Sequence, residues 1–172
     1  MAYSKAEIED ALVRWGEAIN HGGRTGDWTR WIDCYTADVV VDEHHYGIFE
    51  GREAAVTWLT ETMDQWPFNH MQTWAWDWYT IDLENGWVIG QVQNIFVDPG
   101  DGKVYQAPNW TRLVYAGDGL FSREEDVYNP ARFVPAVSGW LAAYAEHHPD
   151  APKDAGRPVL ASGEATGSDG NA

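Results

Sequence analysis

The sequence predicts an α+β fold in which three helices precede a curved antiparallel sheet and one helix follows it. Apolar residues recur at helical spacing in the first third of the chain, and the period changes to two from His70 onward. Short turns join the predicted strands, so these strands form an antiparallel meander. A curved sheet with helices on one face has an open, concave side, where we expect a ligand to bind.

Each of the first three helices has a start signal. Ser4 and Glu7 have capping-box spacing ahead of an apolar stripe that ends at Ile19, and the segment HGGRTG is predicted to break this helix. Asp27 can cap a second helix, and a third follows Gly51. The apolar residues at helical spacing in these two helices are Trp28, Trp31, Ile32 and Tyr35, and Ala55, Trp58, Leu59 and Thr62 or Met63.

The sheet is predicted from β-branched runs and turn chemistry. The run Val39–Val41 indicates a short strand that leads into the loop DEHHYG. The links ENG, DPGDG and AGDG have the composition of hairpin turns. The four long strands are predicted over residues 70–83, 86–97, 103–116 and 119–128.

Pro130 opens the last predicted helix, which extends to about residue 146. Residues 151–172 are rich in Gly, Ser, Ala and Asp and contain few large apolar residues. We therefore expect one folded domain over residues 1–150 and a disordered tail over 151–172. The inward residues of the last helix are predicted to be Val134, Val137, Leu141 and Tyr144.

The chain is strongly acidic, with a formal net charge of -16. A field of this sign repels phosphate backbones, which argues against nucleic acid and anionic membranes as partners. Cys34 is the only cysteine, so disulfides and metal sites built on thiolate pairs are excluded. The first ten residues lack the apolar core of a signal peptide, and no apolar run approaches membrane length. We therefore expect a cytoplasmic protein.

Aromatic residues are unusually frequent, with 11 Trp, 8 Tyr and 5 Phe. So many large rings cannot all be fully buried in one small core, so some are expected to line a cavity or a subunit interface. Trp74, Trp76 and Trp78 alternate along one strand and are predicted to share one face. They would either wall the pocket or form the sheet surface that pairs two subunits.

Two stretches resemble a known superfamily. The stretch WTRWIDCYTADVVVDEHHYGIFEGREAAVTWL is similar to the helix–strand–loop–helix signature of the nuclear-transport-factor-2-like superfamily, including its SnoaL-like (polyketide cyclase and dehydratase) branch. The stretch GLFSREEDVYNPARF resembles the last strand of that branch and of limonene epoxide hydrolases. The resemblance extends over residues 4–146 and implies a cone-shaped fold, a site inside the cone and a homodimer.

The resemblance also implies site residues. In ketosteroid isomerases the first strand carries a carboxylate base, and Glu43 occupies the matching place here. The phenol donor and the protonated aspartate of those enzymes match Trp15 and Thr111, so two of their three groups are missing.

Two other branches match at the last strand and at the first long strand. The last-strand aspartate of limonene epoxide hydrolases matches Asp126, whereas the other positions of their Asp–Arg–Asp relay are Val92 and Asn94. Scytalone-type dehydratases place a histidine at the start of the first long strand, which His70 resembles, and an aspartate that is Asn20 here.

The predicted inward groups have the chemistry for elimination, isomerisation or retro-aldol cleavage. A carboxylate walled by tryptophan loses hydration, which raises its pKa and suits it to proton abstraction. A neutral His70 can take the opposite role, and Asn94 and Asn109 can donate to a developing oxyanion. The predicted catalytic residues are His70, Asp126 and Glu43, and the predicted substrate-binding residues are Trp15, Asn94, Asn109, Thr111 and Tyr128.

Each catalytic candidate has a structural alternative. His70 can be a strand-edge histidine whose ring is satisfied by the backbone, and Glu43 can lie in a solvated loop. Asp126 can form an ion pair with Arg112 or Arg123.

The function that these observations predict is that of a cofactor-independent lyase, a dehydratase or a related C–C or C–O cleaving enzyme, acting on a hydrophobic aromatic or polycyclic small molecule. Two alternatives stay open, namely a non-catalytic ligand-binding or adaptor domain, and an isomerase or cyclase of steroid or polyketide type. The adjacent His44 and His45 on an extended chain point to opposite sides, so no metal site is expected.

Overall fold

The computed structural model describes residues 3–150, and the tail predicted over 151–172 lies outside the described residues. The α-helices are α1 (Lys5–Thr25), α2 (Thr29–Ile32), α3 (Arg52–Met63) and α4 (Phe133–His147). The strands are β1 (Tyr35–Glu43), β2 (Gly47–Glu50), β3 (Met71–Asp82), β4 (Trp87–Phe96), β5 (Gln106–Gly117) and β6 (Leu120–Val127). Short 3₁₀ turns lie at Phe68–His70 and Pro130–Arg132.

The six described strands form one sheet in the order β2-β1-β6-β5-β4-β3. β1 runs parallel to β6, and all other neighbours are antiparallel. The α+β class and the meander of four long strands are confirmed. Strand β2 was not predicted, because its four residues are too few to show a period. Tyr35, predicted on the second helix, instead begins β1.

Helix α1 continues through the segment that was predicted to break it. Ser4 caps its start by accepting the Glu7 N–H, and the left-handed Gly26 ends it six residues later than Asn20. The helix keeps Gly22 because a Cβ there would lie 2.2 Å from the Trp28 ring. Gly22 therefore allows Trp28 to pack closely against the helix, and the helix does not turn after Asn20.

The tryptophans of β3 do not all share one face. A register shift lies between Trp76 and Trp78, so Trp76 pairs with an inward residue of β4 while Trp78 pairs with the outward Gln91. Trp74 is buried, whereas Trp78 is 44% exposed and contacts Trp110 on the outer face of the sheet. The prediction of three indoles on one face is therefore wrong for Trp78.

Helix α4 buries a different set of residues from the one predicted at its start. Val134, predicted to point inward, is 51% exposed, whereas Val137 is buried as expected. The fully buried Trp140 donates its indole N–H to the carbonyl of Val97, 2.7 Å away, which ties α4 to the end of β4. None of the helices within residues 3–150 combines the length and the apolar character needed to cross a membrane.

Candidate active site

A cavity of about 110 Å³ lies between the concave face of the sheet and helices α1 and α3. Every strand of the meander contributes to its wall, because inward side chains of β3 to β6 converge there. Eight of the twenty lining residues are aromatic, in agreement with the amino-acid composition. The aromatic lining residues are Trp15, Trp31, Tyr46, Trp58, Phe68, Trp74, Tyr128 and Phe133.

Seven of the eight predicted site residues line this cavity, and their roles remain predictions. They come from α1 and from four different strands or strand ends, which the curvature of the sheet brings together. These seven residues are Trp15, Glu43, Asn94, Asn109, Thr111, Asp126 and Tyr128.

His70 is the exception, because it does not contribute to the cavity wall. It ends a 3₁₀ turn, and β3 begins one residue later, so Met71 is the residue that lines the cavity. The Nδ1 atom of His70 lies 2.8 Å from Oδ1 of Asn69. Burial and the charge of His148 lower the pKa of His70. The aromatic rings that surround it belong to Trp66, Trp140 and Tyr144.

Asp126 is the centre of a hydrogen-bond network on the cavity wall. Its Oδ1 accepts from Nδ2 of Asn109 at 2.7 Å and from Oγ1 of Thr111 at 2.5 Å. Burial raises the pKa of Asp126 more than any other factor, and the charge of Glu43 raises it further. The hydrogen bond from Thr111 lowers the pKa, but the net result is a value of about 6. Asp126 keeps some exposed surface because it lines the cavity.

The two asparagine amides orient Asp126 and do not form an oxyanion site. Asn94 uses both N–H groups of its amide, on the carbonyl of Ala107 at 3.0 Å and on Oδ1 of Asn109 at 2.7 Å. Asn109 likewise donates to Thr111 and to Asp126. An amide has only two N–H groups, so neither side chain has one left for a ligand. The expected donation to an oxyanion is therefore wrong for this arrangement.

Glu124 is a cavity residue that the sequence reasoning did not select. It is buried, and its Oε2 accepts from the hydroxyl of Tyr35 and from the indole N–H of Trp15, the latter at 3.3 Å. Burial and the charge of Asp126 raise the pKa of Glu124 well above its usual range, which favours its protonated form. The signal was available, because Glu124 alternates with Asp126 and Tyr128 on one strand face.

Glu43 is buried rather than solvated, so the alternative of an open loop is wrong. Its Oε2 accepts from the backbone N–H of His45 at 2.9 Å and of Tyr46 at 2.6 Å. Burial and the charge of Glu43 raise the pKa of both Tyr46 and Tyr128. Both phenols are therefore protonated donors at neutral pH. Because β1 and β6 are in register, Glu43 lies beside Asp126.

The arginines near the site point away from it. Arg112 binds Glu125 at 2.5 Å, and Arg123 binds Asp42 on the outer face of the sheet. The ion pair considered for Asp126 therefore does not form.

A cluster with metal-ligand chemistry lies on the same outer face. Ligand atoms of Asp42, His44 and Glu125 are within 4.8 Å of one another, and Nε2 of His44 is 3.1 Å from Glu125. Both carboxylates already pair with arginine, and two neighbouring positive charges disfavour a bound cation. The arrangement therefore fits an ion-pair network better than a metal site.

Solved structures with a similar fold were found. One is a candidate SnoaL-like polyketide cyclase from Jannaschia sp. CCS1, with 17% identity, a TM-score of 0.60, and coverage of 80% of this chain and 97% of that one. An NTF2-like protein from Anabaena variabilis ATCC 29413 has 17% identity, a TM-score of 0.54, and coverage of 75% and 94%. A hypothetical protein with a ketosteroid isomerase-like fold from Catenulispora acidiphila DSM 44928, in complex with trimethylamine, has 14% identity, a TM-score of 0.58, and coverage of 75% and 92%.

At these identities the likeness shows a shared fold, and the expected nuclear-transport-factor-2-like architecture is confirmed. No curated protein matches the chain in sequence. The profile of the family described as the SnoaL-like domain matches residues 2–119, which is more than half of the chain. The protein therefore belongs to the SnoaL-like domain family.

Proposed function

We propose that the protein is a cofactor-independent enzyme in which Asp126 acts as a general base on a small, hydrophobic, aromatic molecule. The observation that carries the proposal is a carboxyl on an aromatic cavity wall whose pKa burial raises to about 6. A base with a pKa just below working pH is ionised and still holds a proton well enough to remove one from substrate. Asn109 and Thr111 hold the carboxylate in one orientation.

The reaction proposed is an elimination. Asp126 takes a proton from a carbon next to a carbonyl or a phenol ring, and the C–H electron pair forms the new double bond. The leaving hydroxide departs with a proton from the Glu124 carboxyl, so that water is released. The proton on Asp126 then returns to Glu124, which lies two residues away on the same strand face. In this scheme Glu124 supplies the acid role that was expected of His70.

The cavity limits the substrate to about one ring. Its volume of about 110 Å³ is below the roughly 150 Å³ of a cavity that admits benzene, so even a single ring requires a small movement of the wall. A polycyclic ligand would require a much larger movement of the aromatic side chains. The Catenulispora acidiphila neighbour is in complex with trimethylamine, which is also a small molecule.

A polyketide-type cyclase or isomerase is the second candidate. The Jannaschia neighbour, described as a candidate polyketide cyclase, favours it. The same base would act, but the proton would return to another carbon and no group would leave. Isotope exchange between solvent and a non-eliminated substrate separates this outcome from the lyase.

The test of the proposed base is turnover by Asp126→Asn. Once a substrate is found by quenching of tryptophan fluorescence with a panel of phenols and ketones, kcat should fall by about a hundredfold or more. The matched control is Glu125→Gln, which makes the same charge change one residue earlier on the outer face. Folded Asp126→Asn protein with normal turnover would refute the base. Ligand binding without turnover in the unmodified protein would favour a binding domain.

We also propose that the protein forms a homodimer, and that it does so through the outer face of the sheet. Trp78, Trp110 and Val127 are 44%, 54% and 45% exposed there. The rings of Trp78 and Trp110 are 5.4 Å apart and form a shared apolar surface, which a partner subunit would cover.

A further inference from the structure

The charges of the cavity wall are all of one sign. Glu43, Glu124 and Asp126 contribute three carboxyl groups, and none of the described lining residues is Lys, Arg or His. Burial raises the pKa of Glu124 well above its usual range, whereas Glu43 and Asp126 lie side by side in register on adjacent strands. Two neighbouring carboxylates in a water-poor cavity repel each other, and a positive charge placed between them would be stabilised by both.

The nearby arginines do not neutralise this wall. Arg112 and Arg123 bind carboxylates on the outer face of the sheet. Arg52 donates to the backbone carbonyl of Tyr35 and lies 3.5 Å from Asp33. Within residues 3–150, the carboxylates of the cavity therefore have donors of neutral hydrogen bonds but no counter-ion.

The rest of the wall suits an organic cation. Indole and phenol rings attract cations at their faces, and the attraction is strongest where water is excluded. Trp15 and Trp31 are almost fully buried, and Trp58 and Tyr46 cover the side formed by α3 and the loop after β1. A flat aromatic ligand would stack on the same rings.

Two buried donors in the wall have no partner within residues 3–150, the indole N–H groups of Trp31 and Trp58. The side chain of Trp31 is 1% exposed and lines the cavity, yet its indole N–H donates to none of the described residues. A buried N–H without an acceptor is costly, and an acceptor atom of a ligand in the cavity would remove this cost. A hydroxyl or ether oxygen of the ligand would accept this bond.

From this arrangement we infer that the cavity takes a small aromatic amine, bound as its ammonium cation with the charged nitrogen between Glu43 and Asp126. The inference rests on the cavity being the substrate site of the proposed function, and it narrows the substrate class to cations. The strongly acidic surface, with a net charge of -16, would concentrate such a cation near the cavity and repel anionic ligands.

Binding of the cation is coupled to protons. An ammonium group beside Asp126 favours its ionised form, so binding at a pH near 6 releases a proton from the carboxyl. The affinity for the amine should therefore rise as the pH is raised from about 5 to about 7.5. A neutral ligand of the same shape gains nothing from this ionisation, so its affinity should not rise over the same interval.

The test uses three probes of one size that differ in charge. Benzylamine, benzyl alcohol and benzoate carry charges of +1, 0 and −1 at neutral pH, and each is titrated into the unmodified full chain with calorimetry or tryptophan fluorescence as the readout. Benzylamine should bind about tenfold or more tightly than benzyl alcohol, and benzoate should bind most weakly. Equal or tighter binding of benzyl alcohol, or binding of none of the three probes, would overturn the inference.

Two variants identify the carboxylates. Glu43→Gln and Asp126→Asn keep the shape of the wall and should each lower the preference for the amine by about tenfold. Glu125→Gln, on the outer face, should leave that preference unchanged. Because the three-probe comparison measures binding to the unmodified protein, it separates the two proposals. If Asp126→Asn loses turnover but the unmodified protein shows no preference for the amine, only the inferred cationic ligand is refuted. If the unmodified protein prefers the amine but Asp126→Asn turns over normally, only the proposed role of Asp126 as the base is refuted.

Discussion

Asp126→Asn is expected to stabilise the protein at neutral pH and to lose this effect in acid. The native structure raises the pKa of Asp126 from 3.8 to about 6 through burial and the charge of Glu43. A carboxyl of this kind contributes its stability fully below its unfolded pKa, and the contribution is lost as the pH rises through the folded value. The rise in pKa corresponds to about 3 kcal/mol of unfolding free energy at a pH well above 6.

Asparagine has no such penalty because it carries no charge. Its carbonyl still accepts from Asn109 and Thr111, but these hydrogen bonds to a neutral oxygen are weaker, at a loss of about 1 kcal/mol. The variant should therefore be about 1–2 kcal/mol more stable than the unmodified protein at about pH 7.5. At about pH 4 the carboxyl is protonated, and the two proteins should differ by less than about 1 kcal/mol.

Urea unfolding followed by tryptophan fluorescence at both pH values measures this difference. Glu125→Gln serves as the control. Burial raises the pKa of Glu125, but its partners His44 and Arg112 outweigh this and lower the pKa on balance, so loss of this carboxylate should not stabilise the protein at neutral pH. If Asp126→Asn proves less stable than the unmodified protein at neutral pH, or if the difference between them is the same at both pH values, the assigned rise in pKa is refuted.

Three further predictions concern the residues around the site. Gly22→Ala should destabilise the protein by about 1–3 kcal/mol, because the new Cβ would meet the ring of Trp28. Gly16→Ala, where a Cβ has open space, should be neutral or stabilising, and urea unfolding of the two variants compares them. His70→Ala should keep turnover within about threefold, since His70 does not line the cavity, and a hundredfold loss would restore it as the acid. Trp110→Ser should weaken a dimer that forms through the outer sheet face, and an unchanged sedimentation coefficient across concentrations would contradict that interface.

Period-two alternation predicted the strands of the site well. Along β5 and β6 it assigned Asn109, Thr111, Asp126 and Tyr128 to one face, and all four line the cavity. The reason is physical, because one face of this sheet packs on helices and the other faces outward, so a polar residue on the inner face must be paired or line a cavity. The same alternation put Glu124 on the face of Asp126 and Tyr128, but Glu124 was not selected as a site residue.

The errors lie where local geometry interrupts the alternation. The family resemblance placed His70 inside the cone, but His70 ends a 3₁₀ turn just before β3 and does not line the cavity. Between Trp76 and Trp78 a register shift adds a residue to β3 and reverses the face of every residue that follows. Neither feature has a sequence signal that separates it from a regular strand. The side chain of Arg112 points outward because it pairs with Glu125, which lies on the outer face of the sheet.

The titration of Asp126 itself tests the account most directly, because both proposals depend on this carboxyl. Carbon-13 labelling of aspartate and NMR between about pH 3 and about pH 8 would follow its carboxyl resonance, which Asp126→Asn identifies by its absence. We predict a midpoint near 6, produced by burial and by the neighbouring charge of Glu43, and a shift to lower pH when benzylamine is bound. A midpoint at or below the ordinary value of 3.8 would mean that water or an unseen cation solvates the carboxylate, and the proposed base would have to be abandoned.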